Sequence, residues 1–112
     1  MEIKDEFKKA INFFQKGNYN EAKKIYEQIL IEKPDLVEVH YNLGIVLKIL
    51  DNLDEAEKSF AQAISLKSDF VHAHYHMGNT KYKLKKFDES EYSYKKAISL
   101  NSKFIEAYIN LS

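Results

Sequence analysis

Residues 41–63 read YNLGIVLKILDNLDEAEKSFAQA, and residues 75–97 read YHMGNTKYKLKKFDESEYSYKKA. Laid over each other at a shift of 34, they keep an aromatic at Tyr41 and Tyr75 and a glycine at Gly44 and Gly78. They also keep a ring at Phe60 and Tyr94 and an alanine at Ala63 and Ala97. The register extends outward in both directions. Leu43, Met77 and Leu111 are 34 apart, Ala22, Ala56 and Ser90 follow suit, and Ala10, Gly44, Gly78 and Ser112 are all small. A fixed period of this length marks one supersecondary unit stacked on copies of itself. Such a stack offers a long binding surface rather than a single dedicated cleft.

Within each unit the apolar residues follow a helical period. Phe7, Ala10, Ile11 and Phe14 recur at i, i+3, i+4 and i+7, as do Leu43, Val46, Leu47 and Leu50. Lys16-Gly17-Asn18, Asp51-Asn52 and Lys85-Lys86 mark turns inside units, and Lys33-Pro34-Asp35, Lys67-Ser68-Asp69 and Asn101-Ser102-Lys103 mark turns between them. The pattern predicts helices over 3–16, 19–32, 37–50, 53–66, 71–84 and 87–100, with a seventh starting near 105. The expected architecture is all-α, a right-handed superhelical solenoid of antiparallel helix hairpins. One domain spans residues 1–112, with units at about 3–36, 37–70 and 71–104 and a truncated fourth at 105–112.

Composition narrows the function. The 17 basic residues, all lysine, balance 17 acidic ones, so the strong positive field of a non-specific nucleic-acid binder is missing. Without arginine, bidentate recognition of phosphate is poorly served. The chain has no cysteine, hence no thiolate metal site and no thiol nucleophile. No apolar run approaches the length of a membrane span, and the charged start lacks the apolar core of a signal peptide. A cytoplasmic setting is expected.

The unit resembles the tetratricopeptide repeat. Leu43-Gly44, Leu47, Ala56, Phe60 and Ala63 carry the resemblance in the second copy, and Met77-Gly78, Ser90, Tyr94 and Ala97 in the third. The first copy has Ala10, Phe13, Gly17, Tyr19, Ala22, Tyr26 and Pro34. Helical glycine costs about 1 kcal/mol against alanine. We expect Gly44 and Gly78 to be offset by close approach of the paired helix at Ala56, Ala63 and Ala97, with Tyr26, Phe60 and Tyr94 filling the gap to the next unit. Three departures stand out. The aromatic expected early in each first helix is Glu6, His40, His74 and Tyr108 in turn, the inter-unit proline survives only as Pro34, and Lys81 replaces a large apolar residue. Looser packing is expected around Lys81.

The resemblance implies a binding groove lined by the first helix of each unit. It places Phe7, Tyr41, Tyr75 and Ile109 in one row and Lys8, Asn42, His76 and Asn110 in the next. Ile11, Ile45 and Asn79 make a third row, and Phe14, Lys48 and Tyr82 a fourth. Amides can donate to and accept from a peptide backbone, and aromatic rings supply contact area at low entropy cost. The predicted peptide-binding set is Phe7, Tyr41, Asn42, Ile45, Lys48, Tyr75, His76, Asn79, Tyr82 and Asn110. Asn42 and Asn110 are similar to the asparagine ladder in the repeats of O-linked N-acetylglucosamine transferases, interrupted here by His76. The carboxylate grip of chaperone co-factors is not expected. Of the positions it would use, Phe7, Ile11, Asn42, His72 and His76, only Asn42 matches.

Catalysis and metal binding have little support in the sequence. His72 and His76 stand at i and i+4, a two-ligand spacing with no third ligand nearby in sequence, whereas His40 and His74 occupy the packing position and read as structural. Asp54-Glu55 and Asp88-Glu89 open second helices, where they complement the helix dipole. No phosphate loop or nucleophile elbow occurs. The expected function is therefore a non-catalytic protein-interaction module without cofactor or metal, binding an extended segment in the groove. The competing expectations are the repeat segment of a glycosyl- or sulfotransferase-like protein and a self-associating scaffold. The second follows from the open fourth unit, which lacks the polar helix that usually covers the last apolar face.

Overall fold

The helices of the described residues end in two ways that alternate along the chain. The computed structural model describes residues 2–102, which form six helices: α1 (Ile3–Gln15), α2 (Tyr19–Glu32), α3 (Val37–Ile49), α4 (Leu53–Leu66), α5 (Val71–Lys83) and α6 (Phe87–Leu100). The expected seventh helix lies outside the described residues. Among the described residues no helix is long and apolar enough to cross a membrane.

The first helix of each unit closes in the same turn. Asn18 N–H donates to Phe13 O, Asn52 to Leu47 O and Lys86 to Lys81 O, each at 2.8 Å. One residue earlier, Gly17, Asp51 and Lys85 donate to Phe14, Lys48 and Tyr82 carbonyls at 3.0 Å. This double bond pattern is the Schellman closure, which needs a left-handed residue at its centre. Gly17 supplies it at φ 80°, and Asp51 and Lys85 adopt it at φ 64° without being glycine.

The second helices end differently. Lys33, Lys67 and Asn101 leave the helix in extended conformations, with φ of −131°, −145° and −149°. Pro34 demands this of Lys33, because its ring excludes the helical region for the residue before it. Lys67 and Asn101 do the same before serines. Histidines hold two of these connections: Nε2–H of His40 donates to Pro34 O at 2.7 Å, and Nε2–H of His74 donates to Ser68 O at 2.8 Å. The two histidines in the aromatic position thus have a structural role, pinning the loop six residues upstream.

Each helix packs antiparallel on the next, and the stack measures 45 × 24 × 21 Å. The interior is made of small residues and rings. Ala10, Ala22, Ala56, Ala63, Ala73 and Ala97 are fully buried and allow the helices to approach. The structure corrects the expectation about the glycines. Gly44 faces the ring of Phe60 and Gly78 the ring of Tyr94, rather than the alanines of the paired helix. Burying a ring of this size is worth roughly 1.5–3 kcal/mol, which outweighs the glycine penalty.

Among the described residues, the buried side-chain polar atoms all have hydrogen-bond partners. Ser90, which stands in register with Ala22 and Ala56, donates its hydroxyl to Gly78 O at 2.8 Å and so adds a bond between α6 and α5. Thr80 donates to His76 O, one turn back, at 2.8 Å. Lys81, at the expected apolar position, reaches Glu89 at 2.6 Å and keeps its side chain mostly covered.

Candidate functional site

The parallel first helices α1, α3 and α5 place their exposed sides along one face. Between them opens a hollow of about 500 Å³ lined by Ile11, Phe14 and Gln15 of α1, Tyr26 of α2, Tyr41, Asn42 and Ile45 of α3, and His76 of α5. A second hollow of about 670 Å³ adjoins it through Ile11 and runs toward the amino-terminal ends of α1 and α3, past Ile3, Phe7, Leu36, Val37 and Val39. Its rim carries Lys4, Lys8 and Glu38. The two volumes fall in the range of ordinary ligand pockets.

His76 anchors the first hollow. Its ring stacks on Phe60 with centroids 5.8 Å apart and planes 14° apart, and it meets the edges of Tyr41 and Tyr75 at 5.7 and 5.2 Å. Lys48 Nζ donates to His76 Nδ1 at 3.0 Å, so the ring proton sits on Nε2. Burial pushes the His76 pKa down to about 3, helped by the positive charge of Lys48 and by His72. The imidazole is therefore neutral throughout the physiological range. Lys48 is itself lowered by burial and by Lys83.

Two contacts join neighbouring units at the same register. Tyr26 of the first unit and Asn42 of the second both line the first hollow, and the Asn42 amide draws the Tyr26 pKa down against the rise that burial imposes. Phe60, which has no hydroxyl, stacks on His76 between the second and the third. Both pairs are 16 residues apart, as 42−26 and 76−60 show. Tyr26 also packs against Phe7 at 6.0 Å, and burial raises its pKa.

The predicted site residues sort into three groups. Tyr41, Asn42, Ile45 and His76 line the first hollow, and Phe7 lines the second. Lys48 touches His76 at the edge of the first. Tyr75, Asn79 and Tyr82 lie apart from both hollows: Tyr75 packs on Tyr94 and His76, Asn79 accepts a hydrogen bond from the Tyr94 hydroxyl, and Tyr82 packs its ring on Phe87 at 5.2 Å while 57% exposed. Asn110 lies outside the described residues. Gln15 and Tyr26 line the first hollow without having been predicted. Ile11 and Phe14, which belong to the third and fourth rows but not to the expected binding set, line it as well. The i, i+4 run from Phe7 through Ile11 to Gln15 carries the signal that could have found Gln15.

A stack of helical hairpins at a 34-residue period, with a groove along its first helices, defines a helical-repeat interaction fold. Two family models described as tetratricopeptide repeat match the chain, one over residues 13–77 and one over 71–104. The first covers more than half of the sequence, and the chain belongs to the tetratricopeptide repeat family. No curated protein sequence matches it. Among solved structures it is similar to the first such domain of Spaghetti (RPAP3) bound to the HSP90 peptide SRMEEVD, at 22% identity and a TM-score of 0.94, covering 97% of this chain and 86% of that one. The second domain of human RPAP3, in complex with the HSP70 peptide SGPTIEEVD, gives 23% identity and a TM-score of 0.90, covering 95% and 88%. MamA gives 23% and 0.95, and this chain, covered over 97% of its length, spans 64% of the MamA chain.

Proposed function

We propose that the protein is a non-catalytic interaction module that holds an extended polypeptide segment along the face formed by α1, α3 and α5. The observation that carries this reading is the pair of adjoining hollows. Their walls are mostly apolar, and Ile11 links them into one track across the first two units. Apolar hollows with a few polar groups suit the side chains of a bound segment. His76 and Lys48 use a hydrogen bond on each other. A base whose protonation is suppressed to about pH 3 is poorly matched to acid–base work near neutrality.

The chaperone peptides held by the two RPAP3 domains end in acidic residues. The positions that the family resemblance assigns to gripping such a terminus are Phe7, Ile11, Asn42, His72 and His76 here, a set with no permanent cation. We therefore favour an internal, partly apolar segment over a chaperone tail.

Panning a random ten-residue peptide library against the chain tests the reading. Enriched peptides should bind the wild type and lose at least about tenfold in affinity to Ile45→Glu, which puts a charge into the apolar wall. Enriched peptides indifferent to Ile45→Glu and to Tyr41→Ala would move the function off this face.

A further inference from the structure

We propose that the groove selects segments in which a side-chain carboxylate accompanies a large apolar residue, the carboxylate seated at Lys48 of α3 and Lys83 of α5 while the apolar residue fills the hollow beside His76. The inference rests on the peptide-binding reading above and adds the chemistry of the bound segment.

Lys48 is half-buried, and its Nζ lies 3.0 Å from His76 Nδ1, on the ring that forms one wall of the hollow. An ammonium has three donors, and the bond to the imidazole uses one. Lys83, on the last turn of the neighbouring α5, is near enough to push against the charge of Lys48. Neither has an acidic partner. Among the described residues the ion pairs are Lys81–Glu89, Lys86–Glu57 and Lys95–Glu91. Where other lysines of α5, α6 and the turn between them find carboxylates, these two lie near enough to repel each other. The chain as a whole has no net charge, so this local excess is a matter of placement.

A carboxylate placed here would relieve the repulsion between the two ammonium groups and accept the unused donors of Lys48. Charge-assisted bonds of this kind are about twice as strong as neutral ones, and more so in a partly desolvated site. The neutral imidazole contributes no competing charge, and it holds Lys48 in place. The apolar walls at Phe14, Tyr41 and Ile45 adjoin the same ring, so one bound segment can use both features. The site differs from a terminal-carboxylate grip because it lies at the carboxy-terminal ends of α3 and α5, on residues outside that set of positions.

The peptide library described above supplies the test, read as amino-acid enrichment on the wild type, on Lys48→Met and on Lys83→Gln. The expected result is enrichment of Asp or Glu at a fixed distance from a large apolar residue. On Lys48→Met the acidic preference should disappear while the apolar one persists. An enriched peptide should lose about tenfold in affinity to Lys48→Met and about threefold to the exposed Lys83→Gln, and its Asp→Asn version should bind both variants as it binds the wild type. Amidating the peptide terminus should change nothing. Apolar enrichment with no acidic bias overturns this inference and leaves the peptide-binding reading standing, as does a loss confined to amidated peptides. Failure to enrich any peptide overturns both. Lys83→Gln alters a solvent-facing side chain, so its result stands even if Lys48→Met disturbs the fold.

Discussion

The ring of Phe60 occupies the space in which a side chain on residue 44 would begin. A Cβ built on Gly44 would stand 2.6 Å from the ring, inside any real contact distance. Phe60 is fully buried and also in contact with the rings of His76 and Tyr41, so it is poorly placed to yield.

Gly44→Ala should therefore destabilise the protein even though alanine is the better helix former. The propensity gain is about 1 kcal/mol, and overpacking a filled core costs typically 1–3 kcal/mol. With part of one term offsetting the other, a fall in Tm of several degrees is expected. Thermal unfolding of Gly44→Ala, alone and with Phe60→Leu, decides it. The smaller side chain should recover part of the loss, and a stabilised single variant would contradict the packing described.

The left-handed turn residue offers a prediction of opposite sign. Lys85 holds φ at 64° where the first unit uses glycine. Lys85→Gly should stabilise by roughly 0.5–1 kcal/mol, since Lys85 is exposed and the strain is relieved locally. Gly17→Ala should destabilise by a similar amount, despite open space around the position. Urea titrations of the two variants should shift their midpoints in opposite directions.

Stability should depend on the state of His76. The folded chain keeps it neutral down to about pH 3, while an unfolded histidine takes up its proton near 6.5. Between these values the unfolded state binds more protons, so stability falls as the pH drops below 6.5, by up to about 1.4 kcal/mol per unit from this group. Lys48 of α3 and His72, one turn back on α5, both act on the ring, and Lys83 acts on Lys48. Urea unfolding at pH 6.5 and 5.5 should show the loss in the wild type and a smaller loss in His76→Asn. In Lys48→Met the His76 titration, followed by NMR, should move up but stay below 6.5, because burial is the larger cause.

Asn42 lines the first hollow next to Tyr26 and acts on its hydroxyl, so it is both a groove residue and a polar neighbour of the core. Asn42→Ala removes that amide from beside a tyrosine only 1% exposed. We expect a loss of about 1–3 kcal/mol, and nearer 1 kcal/mol for Tyr26→Phe. The double variant should cost less than the sum of the two, by denaturant titration. Any change in peptide affinity on substituting Asn42 must be read against this loss.

Most of the helical scaffold could be read from the sequence. The three second helices begin and end where the periodicity placed them, and the three first helices stop one residue early, at Gln15, Ile49 and Lys83. The residues given up, Lys16, Leu50 and Leu84, have φ between −78° and −88° and ψ near 0°, a conformation that continues the apolar pattern without continuing the helix. The floor of the groove was less legible. A period of 34 assigns equivalent residues to equivalent rows, yet Tyr41 and Tyr75 differ in use because Tyr94 and His76 draw Tyr75 into ring contacts. Side chains that meet across units depend on how one hairpin leans on the next, which no single unit's pattern encodes. Tyr26 illustrates this: its position is read as core, and it also reaches the groove wall.

The two seams of the stack speak different dialects. At the first a phenol lies beside an amide, and at the second a phenyl ring stacks, offset, on an imidazole. The units therefore cannot be dealt in any order, although they share a period and a backbone. A tandem duplicate of the second unit would set the amide of its Asn42 under a Phe60 that has no hydroxyl to offer. Fusing the first unit directly to the third would set the Tyr26 phenol against the His76 ring and take away Lys48, the partner that holds that ring. Each hairpin thus carries the address of its neighbour, and an array built by shuffling would inherit the rhythm of this protein without its fit.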